Sequence, residues 1–221
     1  MCFCYWQLHL CWGGGYTCGG PFALSYRYNP ITDTWTSIAP LPSPRHGAVG
    51  VSDGQYGYVL GGWSGNSNTT TLFRYDPSTN SWTSLTSYPT RIWIPFLTYQ
   101  NNSLYAGLGR SFSCENSFYR YDISSNSWSS LNAHIRSGYD GWAVSIPDLI
   151  IVTGEHPNCN PNDCSDQFYR YNFSSNTWSP ISPFLGGGRN NLIGGVVEGR
   201  YFTGMGAACS VPVVDWWMYC P

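Results

Sequence analysis

Lysine is missing from this 221-residue chain: all ten of its basic residues are arginine. Charge of either sign is scarce, at 10% of residues with a formal net charge of −2. Such a surface has no basic field to draw in a polyanion, which excludes nucleic acid as a partner. No apolar run approaches the roughly 18 residues of a membrane span. Residues Met1 to Leu10 lack a basic flank and a clean apolar centre, so they make a poor signal peptide. No stretch carries apolar residues at the 3.6-residue period of a helix, and no glycine-rich phosphate loop opens one. What is present in quantity is aromatic: 17% of residues, with 25 glycines and 15 prolines. That balance suits strands packed face to face and excludes a disordered chain.

The aromatics recur in a fixed phrase. Phe73-Arg74-Tyr75-Asp76-Pro77-Ser78-Thr79-Asn80-Ser81-Trp82 reads as a strand ending in Tyr, a polar turn, and a second strand opened by Trp. The phrase also runs from Tyr26-Arg27-Tyr28-Asn29-Pro30 to Trp35, from Tyr119-Arg120-Tyr121-Asp122 to Trp128, and from Tyr169-Arg170-Tyr171-Asn172 to Trp178. Tyr and Trp both advance by steps of 47, 46 and 50 residues, and a fifth copy opens at Trp216-Trp217-Met218-Tyr219. A period near 50 with glycine doublets predicts an all-β chain, a kelch-type β-propeller of four-stranded antiparallel blades.

Five repeats are predicted in one domain over 1–221, at about 1–43, 44–89, 90–134, 135–187 and 188–221. With strands lettered a to d from the axis outward, Tyr5 to Trp12 matches strand b, so the first blade is expected to lack strand a. The last is expected to lack strand d. Hairpin turns between a and b are predicted at Asp53-Gly54, Asn101-Asn102, Pro147-Asp148 and Glu198-Gly199. Two incomplete blades predict a piece of a larger propeller rather than a closed five-bladed ring.

The phrase has a structural logic. Alternation in Tyr-Arg-Tyr places both aromatics on one face and Arg on the other. Tyr and Trp supply apolar area between blades, and the Asp or Asn after Tyr supplies oxygens to the turn backbone. Doublets such as Gly61-Gly62 end strand b where the backbone turns to positive φ or approaches another chain closely.

Over nearly its whole length the chain resembles kelch-repeat proteins, on the four aligned phrases above. Arg45-His46-Gly47-Ala48-Val49 and Tyr58-Val59-Leu60-Gly61-Gly62 look most like secreted or cell-surface members. The family includes ubiquitin-ligase adaptors, sialic-acid mutarotases, plant specifier proteins and copper-radical oxidases, and the fold alone does not choose among them. Propellers of this family usually have six or seven blades.

Loop geometry supplies the candidate site. In a four-stranded meander the d-to-a and b-to-c connections emerge on one face. The former carry Arg45-His46, Arg91, Arg136-Ser137 and Arg189-Asn190, one Arg for each blade from the second to the fifth. The latter add Trp63, Arg110, Glu155 and His156. In similar kelch adaptors Arg and Ser at such places line a ligand pocket, and inward Arg would favour an anionic group through forked hydrogen bonds. The competing expectation is that each Arg braces backbone carbonyls of a neighbouring blade. Glu155-His156 with Cys159 and Cys164 is the one local concentration of metal-ligand types; a Cys159–Cys164 loop disulfide is expected there, with no metal and no cofactor.

Nine cysteines, five of them (Cys18, Cys114, Cys159, Cys164 and Cys209) in b-to-c loops, point to disulfides and an oxidising compartment, extracellular or cell surface, with the cytoplasm as alternative. These residues point to a non-catalytic module that binds a protein or glycan through its Arg-lined face. The alternative is a carbohydrate-acting enzyme of the sialic-acid mutarotase kind, using Glu155, His156 and Asp140.

Overall fold

The computed structural model describes residues 2–5, 8–12, 21–146, 149–153, 156–160, 162–197, 200–208 and 211–219. The hairpins at Pro147-Asp148 and Glu198-Gly199 therefore lie outside the described residues, as do Glu155, Cys18 and Cys209.

Strands appear wherever the repeat calls for them. The first sheet holds β1 (Cys2–Tyr5), β2 (Leu8–Trp12), β3 (Ser25–Asn29) and β4 (Thr34–Ile38). The second holds β5 (Val49–Ser52), β6 (Gly57–Leu60), β7 (Leu72–Asp76) and β8 (Ser81–Leu85). The third holds β9 (Phe96–Gln100), β10 (Ser103–Gly107), β11 (Phe118–Asp122) and β12 (Ser127–Ser130). A short β13 (Gly138–Tyr139) precedes the fourth sheet and pairs with β16 (His156–Pro157) in one of its loops. That sheet is β14 (Trp142–Ile146), β15 (Leu149–Thr153), β17 (Phe168–Asn172) and β18 (Thr177–Ile181). The fifth has three strands, β19 (Ile193–Val197), β20 (Arg200–Gly204) and β23 (Trp216–Tyr219), with the ladder β21 (Ala207–Ala208)–β22 (Val211–Pro212) between the last two.

Among the described residues the fifth sheet has three strands, as the sequence reading expected. The first sheet differs: Cys2–Tyr5 pairs antiparallel with Leu8–Trp12 and supplies the strand a that the sequence reading left out. Four residues are too short to display an alternation of their own, so only the partner strand defines them.

The chain packs as two units, Met1–Ile94 with Asp122–Trp128, and Pro95–Tyr121 with Ser129–Pro221. In the first, β1 lies beside β5; in the second, β14 lies between β9 and β19. First strands thus neighbour first strands, as blades around an axis require. Phe73, Tyr75, Val59 and Leu41 form the core of the first unit, with Trp82 against it. In the second, Phe96, Phe118, Tyr171 and Ile150 pack with Trp178, and a further cluster joins Phe168, Phe184, Leu192 and Tyr201.

The phrase residues do what their spacing predicted. Tyr75 and Trp82 are cross-strand partners, as are Tyr28 and Trp35, and Tyr171 and Trp178. Their ring centroids lie 5.0, 5.0 and 5.1 Å apart, the tilted packing that aromatic pairs favour. Arg74, on the opposite face of β7, lays its guanidinium over Tyr56 at 4.5 Å. The turn between them closes on a residue at positive φ: Asp33 at 52°, Asn80 at 49°, Asn126 at 51° and Asn176 at 52°. Asn and Asp tolerate that left-handed conformation better than other non-glycine residues. The predicted hairpin Asn101-Asn102 also takes it, at 47° and 55°.

Each of these Asn residues also reaches back by roughly one repeat. Asn80 Oδ1 accepts the Ala39 N–H at 2.9 Å while Trp82 Nε1 donates to the Ala39 carbonyl at 2.9 Å. Asn126 and Trp128 grip Thr86 in the same two places, and Asn176 and Trp178 grip Asn132. Both polar groups of one peptide residue are satisfied by a side-chain clamp, which makes the phrase a fastener as well as a strand pair.

Glycine doublets fall where the backbone demands them. Gly61 and Gly62 have φ of 67° and 89°, and a Cβ on Gly61 would stand 2.7 Å from the Ile92 carbonyl oxygen. Leu108-Gly109 and Met205-Gly206 take the same left-handed pair of conformations.

Candidate functional site

The d-to-a connections and the b-to-c loops hydrogen-bond to each other, so both kinds share one face, as the meander implied. In the first unit His46 and Trp63 exchange both backbone hydrogen bonds, at 3.0 and 2.8 Å. In the second, Gly138 N–H donates to the Glu115 carbonyl, Tyr139 pairs with His156, and Asn190 and Ala207 exchange both bonds at 3.0 Å.

On this scaffold the periodic arginines part company. Arg45 is 3% exposed; Nη1 donates to the Pro44 carbonyl, Nη2 donates to Thr71 Oγ1 at 2.9 Å, and its guanidinium faces the Phe73 ring. Burial lowers its pKa. Arg189, also 3% exposed, forks onto the Asp215 carboxylate, donates to the Gly186 carbonyl at 2.7 Å and lies 4.8 Å over the Phe184 ring. The forked guanidinium, with the Trp217 indole, holds the Asp215 carboxyl well below the usual carboxylate range. Arg91 is exposed, with Nη1 on Ser67 Oγ at 2.7 Å and on the Asn68 carbonyl at 3.0 Å. Arg110 is exposed above Tyr139, 6.0 Å from guanidinium carbon to ring centroid. Arg136 is half-buried, with Nη1 3.4 Å from the Tyr169 hydroxyl. Arg45 and Arg189 thus have the internal partners of a brace, and Arg91 and Arg110 stand at the surface.

Replacing Arg189 with Ala is accordingly expected to lower the melting temperature by about 5–10 °C. It removes the fork onto Asp215 and leaves the Gly186 carbonyl without its donor. Arg91→Ala is expected to shift it by less than about 2 °C. Equal shifts in a thermal scan of the two variants would contradict the division.

In the second unit the remaining site residues come together. The His156 ring is buried, stacked on Tyr139 at 4.8 Å and 29°, so Arg110, Tyr139 and His156 lie in layers. Nδ1 sits 2.8 Å from the Asp163 carbonyl, an oxygen that only accepts, so Nδ1 carries a hydrogen. Nε2 faces the Asn190 amide nitrogen at 2.6 Å and the Asp140 carboxylate at 3.9 Å. Burial pushes the Asp140 carboxyl up to about 6, against the opposing pull of His156. Ser137 adjoins this cluster, its carbonyl accepting the Asn158 N–H at 2.9 Å. In the first unit His46 stacks on Trp93 at 5.7 Å and Trp63 is 37% exposed.

The cysteines correct one expectation. Cys159 bonds to Cys114, not to Cys164, across a sequence separation of 45 and a Cα–Cα distance of 5.4 Å. Cys164 is disulfide-bonded as well. The bridge staples the b-to-c loops of two successive repeats, which the fold brings side by side; proximity along the chain had suggested the other pairing. Oxidation also takes both sulfurs out of the Glu155-His156-Cys159-Cys164 group as thiolate ligands.

Sequence reasoning did not find the Tyr139 layer, the Asp215 partner of Arg189, or buried His134. The Asn two residues before Trp at 80, 126 and 176 was legible as a repeated phrase, and its clamping role was not.

Four-stranded antiparallel blades with first strands adjacent, fastened by Tyr and Trp once per repeat, define the β-propeller class. The kelch motif matches residues 44–87. The chain resembles kelch-repeat proteins in that motif and in its blades. Among solved structures it is similar to that of YjhT, with a TM-score of 0.78 at 17% identity over 93% of this chain and 71% of that one. No curated protein matches it in sequence.

Proposed function

We propose that the chain is a non-catalytic binding module whose loop face takes a protein or glycan ligand carrying an anionic group. One observation carries the reading: exposed Arg110 caps a layer of Tyr139 and His156, with Asn190 and Asp140 sunk beneath. An Arg fork at the rim suits a carboxylate or sulfate. Tyr139, His156 and Asn190 are each buried, so they support Arg110 from within and leave the ligand contact to its guanidinium. Such a rim favours an acidic group on a glycan or a protein. Exposed Arg91 with Trp63 and His46 offers a comparable surface within the first unit, and Arg136 with Ser137 extends that of the second. The Cys114–Cys159 bond supports an oxidising compartment, and hence an extracellular or cell-surface location.

The second reading, a carbohydrate-acting enzyme of the mutarotase kind, is favoured by the Asp140 carboxyl. A group with a pKa raised to about 6, standing 3.9 Å from an imidazole, is poised to pass protons near neutral pH.

Calorimetry with sialic and uronic acids, paired with NMR of their anomer exchange, tests both. Binding that falls about tenfold or more in Arg110→Ala, without accelerated exchange, is the expected result. Exchange above the spontaneous rate that disappears in Asp140→Asn would establish the enzyme instead. Undiminished binding by Arg110→Ala would overturn the proposed site.

A further inference from the structure

The turn that joins the two outer strands of each blade asks one thing of the residue after Tyr: an oxygen that accepts backbone N–H groups. Asp76 offers it to Ser78 and Thr79, Asp122 to Ser125, and Asn29 to Ile31. In the fourth sheet the residue is Asn172, whose Oδ1 accepts the Ser174 and Ser175 N–H groups at 2.9 and 3.0 Å. An Asn also brings an amide nitrogen, for which this turn has no use. Asn172 is exposed, and its Nδ2 has no hydrogen-bond partner among the described residues.

Asn172 opens the triplet Asn172-Phe173-Ser174, the Asn-x-Ser/Thr acceptor pattern of N-linked glycosylation. Two more triplets of this form start at Asn68 and Asn101, and their surroundings differ. Asn68 is half-buried in the loop face, bridged to Trp63, with its carbonyl on Arg91. The hydroxyl of the Asn101 triplet belongs to Ser103, which is fully buried and accepts the Arg120 Nε–H at 2.9 Å. Ser174, by contrast, is exposed, and its hydroxyl has no partner among the described residues. Phe173 is half-buried against the rings of Tyr105 and Tyr171, which holds the triplet with Asn and Ser at the surface.

We propose that Asn172 is a glycosylation site. Its Nδ2 bonds to the anomeric carbon of the first sugar of a lipid diphosphate-linked oligosaccharide. The bond from that carbon to the diphosphate oxygen breaks, the lipid diphosphate leaves, and Nδ2 gives up one proton. Oδ1 takes no part and keeps both hydrogen bonds of the turn. The glycan projects from a c-to-d turn, at the end of the blade opposite the loop that carries Arg110, and leaves that loop open to its ligand. The site rests on the oxidising compartment proposed above from the Cys114–Cys159 bond.

Mass-spectrometric peptide mapping of the full chain, purified without reductant from the cells that make it, tests the site. Expected is a glycan on Asn172 in the same sample as a Cys114–Cys159 crosslink. A crosslinked chain with bare Asn172 would overturn the glycosylation site and leave the compartment standing. Free thiols at both cysteines would overturn the compartment, and the site with it. Variants made in the same cells separate the sugar from the turn. Asn172→Asp keeps the accepting oxygen and Ser174→Ala keeps its N–H, so each should lose the glycan. After enzymatic removal of glycans from every sample, the melting temperatures of both should match that of the parent within about 2 °C. Asn172→Ala removes the oxygen as well and should lower that temperature by several degrees. A glycan that persists in Ser174→Ala would overturn the assignment.

Discussion

Replacing Cys114 and Cys159 together with serine should lower the melting temperature by about 10 °C, the largest single loss expected for any pair of substitutions on the loop face. The bridge closes a loop of 45 residues. A loop of that length restricts the unfolded chain by about 4 kcal/mol in the chain-entropy account, and each kcal/mol moves the midpoint of a chain this size by about 2–4 °C. The site should respond too. Cys114 bridges to Arg110 and Cys159 follows β16, where His156 sits, so the staple fixes the loops that carry the Arg110–Tyr139–His156 layer. Ligand affinity should therefore fall in the serine pair even at temperatures where the fold persists. Peptide mapping of unreduced protein checks the connectivity directly. A Cys159–Cys164 crosslink, or a serine pair that melts with the wild type, would contradict this account.

Acid should separate two buried groups that nearly cancel in the native chain. His134 is 1% exposed, edge-on to the rings of Tyr169 and Trp178, and burial lowers its pKa to about 4. Against an ordinary value near 6.5, the unfolded chain takes up a proton first as pH falls from about 6.5 to 4, so His134 withdraws up to about 3 kcal/mol of stability over that window. Asp140 has the opposite sign. Its carboxyl is pushed up to about 6, so the folded chain takes up a proton before the unfolded one. As pH falls from about 6 to 4 this returns up to about 3 kcal/mol that burial of the charge had cost. Thermal midpoints should read this clearly. Asp140→Asn removes the gain, and its midpoint should fall by about 5–10 °C relative to wild type between pH 7 and pH 4.5. His134→Gln removes the loss, and its midpoint should rise relative to wild type over the same interval. Parallel curves for the three proteins would show that neither group is buried as described.

The Arg series shows where a repeat stops being informative. Arg45, Arg91, Arg136 and Arg189 occupy equivalent d-to-a connections after the Trp of each phrase, yet Arg45 and Arg189 are each 3% exposed while Arg91 is exposed. The difference comes from neighbours that are not themselves periodic. Arg189 finds Asp215, 26 residues on, whereas Arg91, among the described residues, bonds Ser67 and the Asn68 carbonyl at the surface. A brace and a binding residue look alike until their partners are known.

The amino-acid sequence by itself determined the parts of this protein that rest on local and recurrent interactions. Alternation in Phe73-Arg74-Tyr75 placed both aromatics in the core, and the seven-residue step from Tyr75 to Trp82 made those two cross-strand partners. Asn and Gly at fixed offsets marked the left-handed turns, because few residues tolerate that conformation. Tertiary structure alone decided what depends on loops meeting across tens of residues. It paired Cys159 with Cys114 instead of nearby Cys164, and gave Cys2–Tyr5 a place as a strand. It also brought Asp140, His156 and Asn190 together from three segments of the chain. Period-two and turn signals are written within a few residues, whereas the register of one blade's loops against the next is set by packing of whole sheets, which no short stretch encodes.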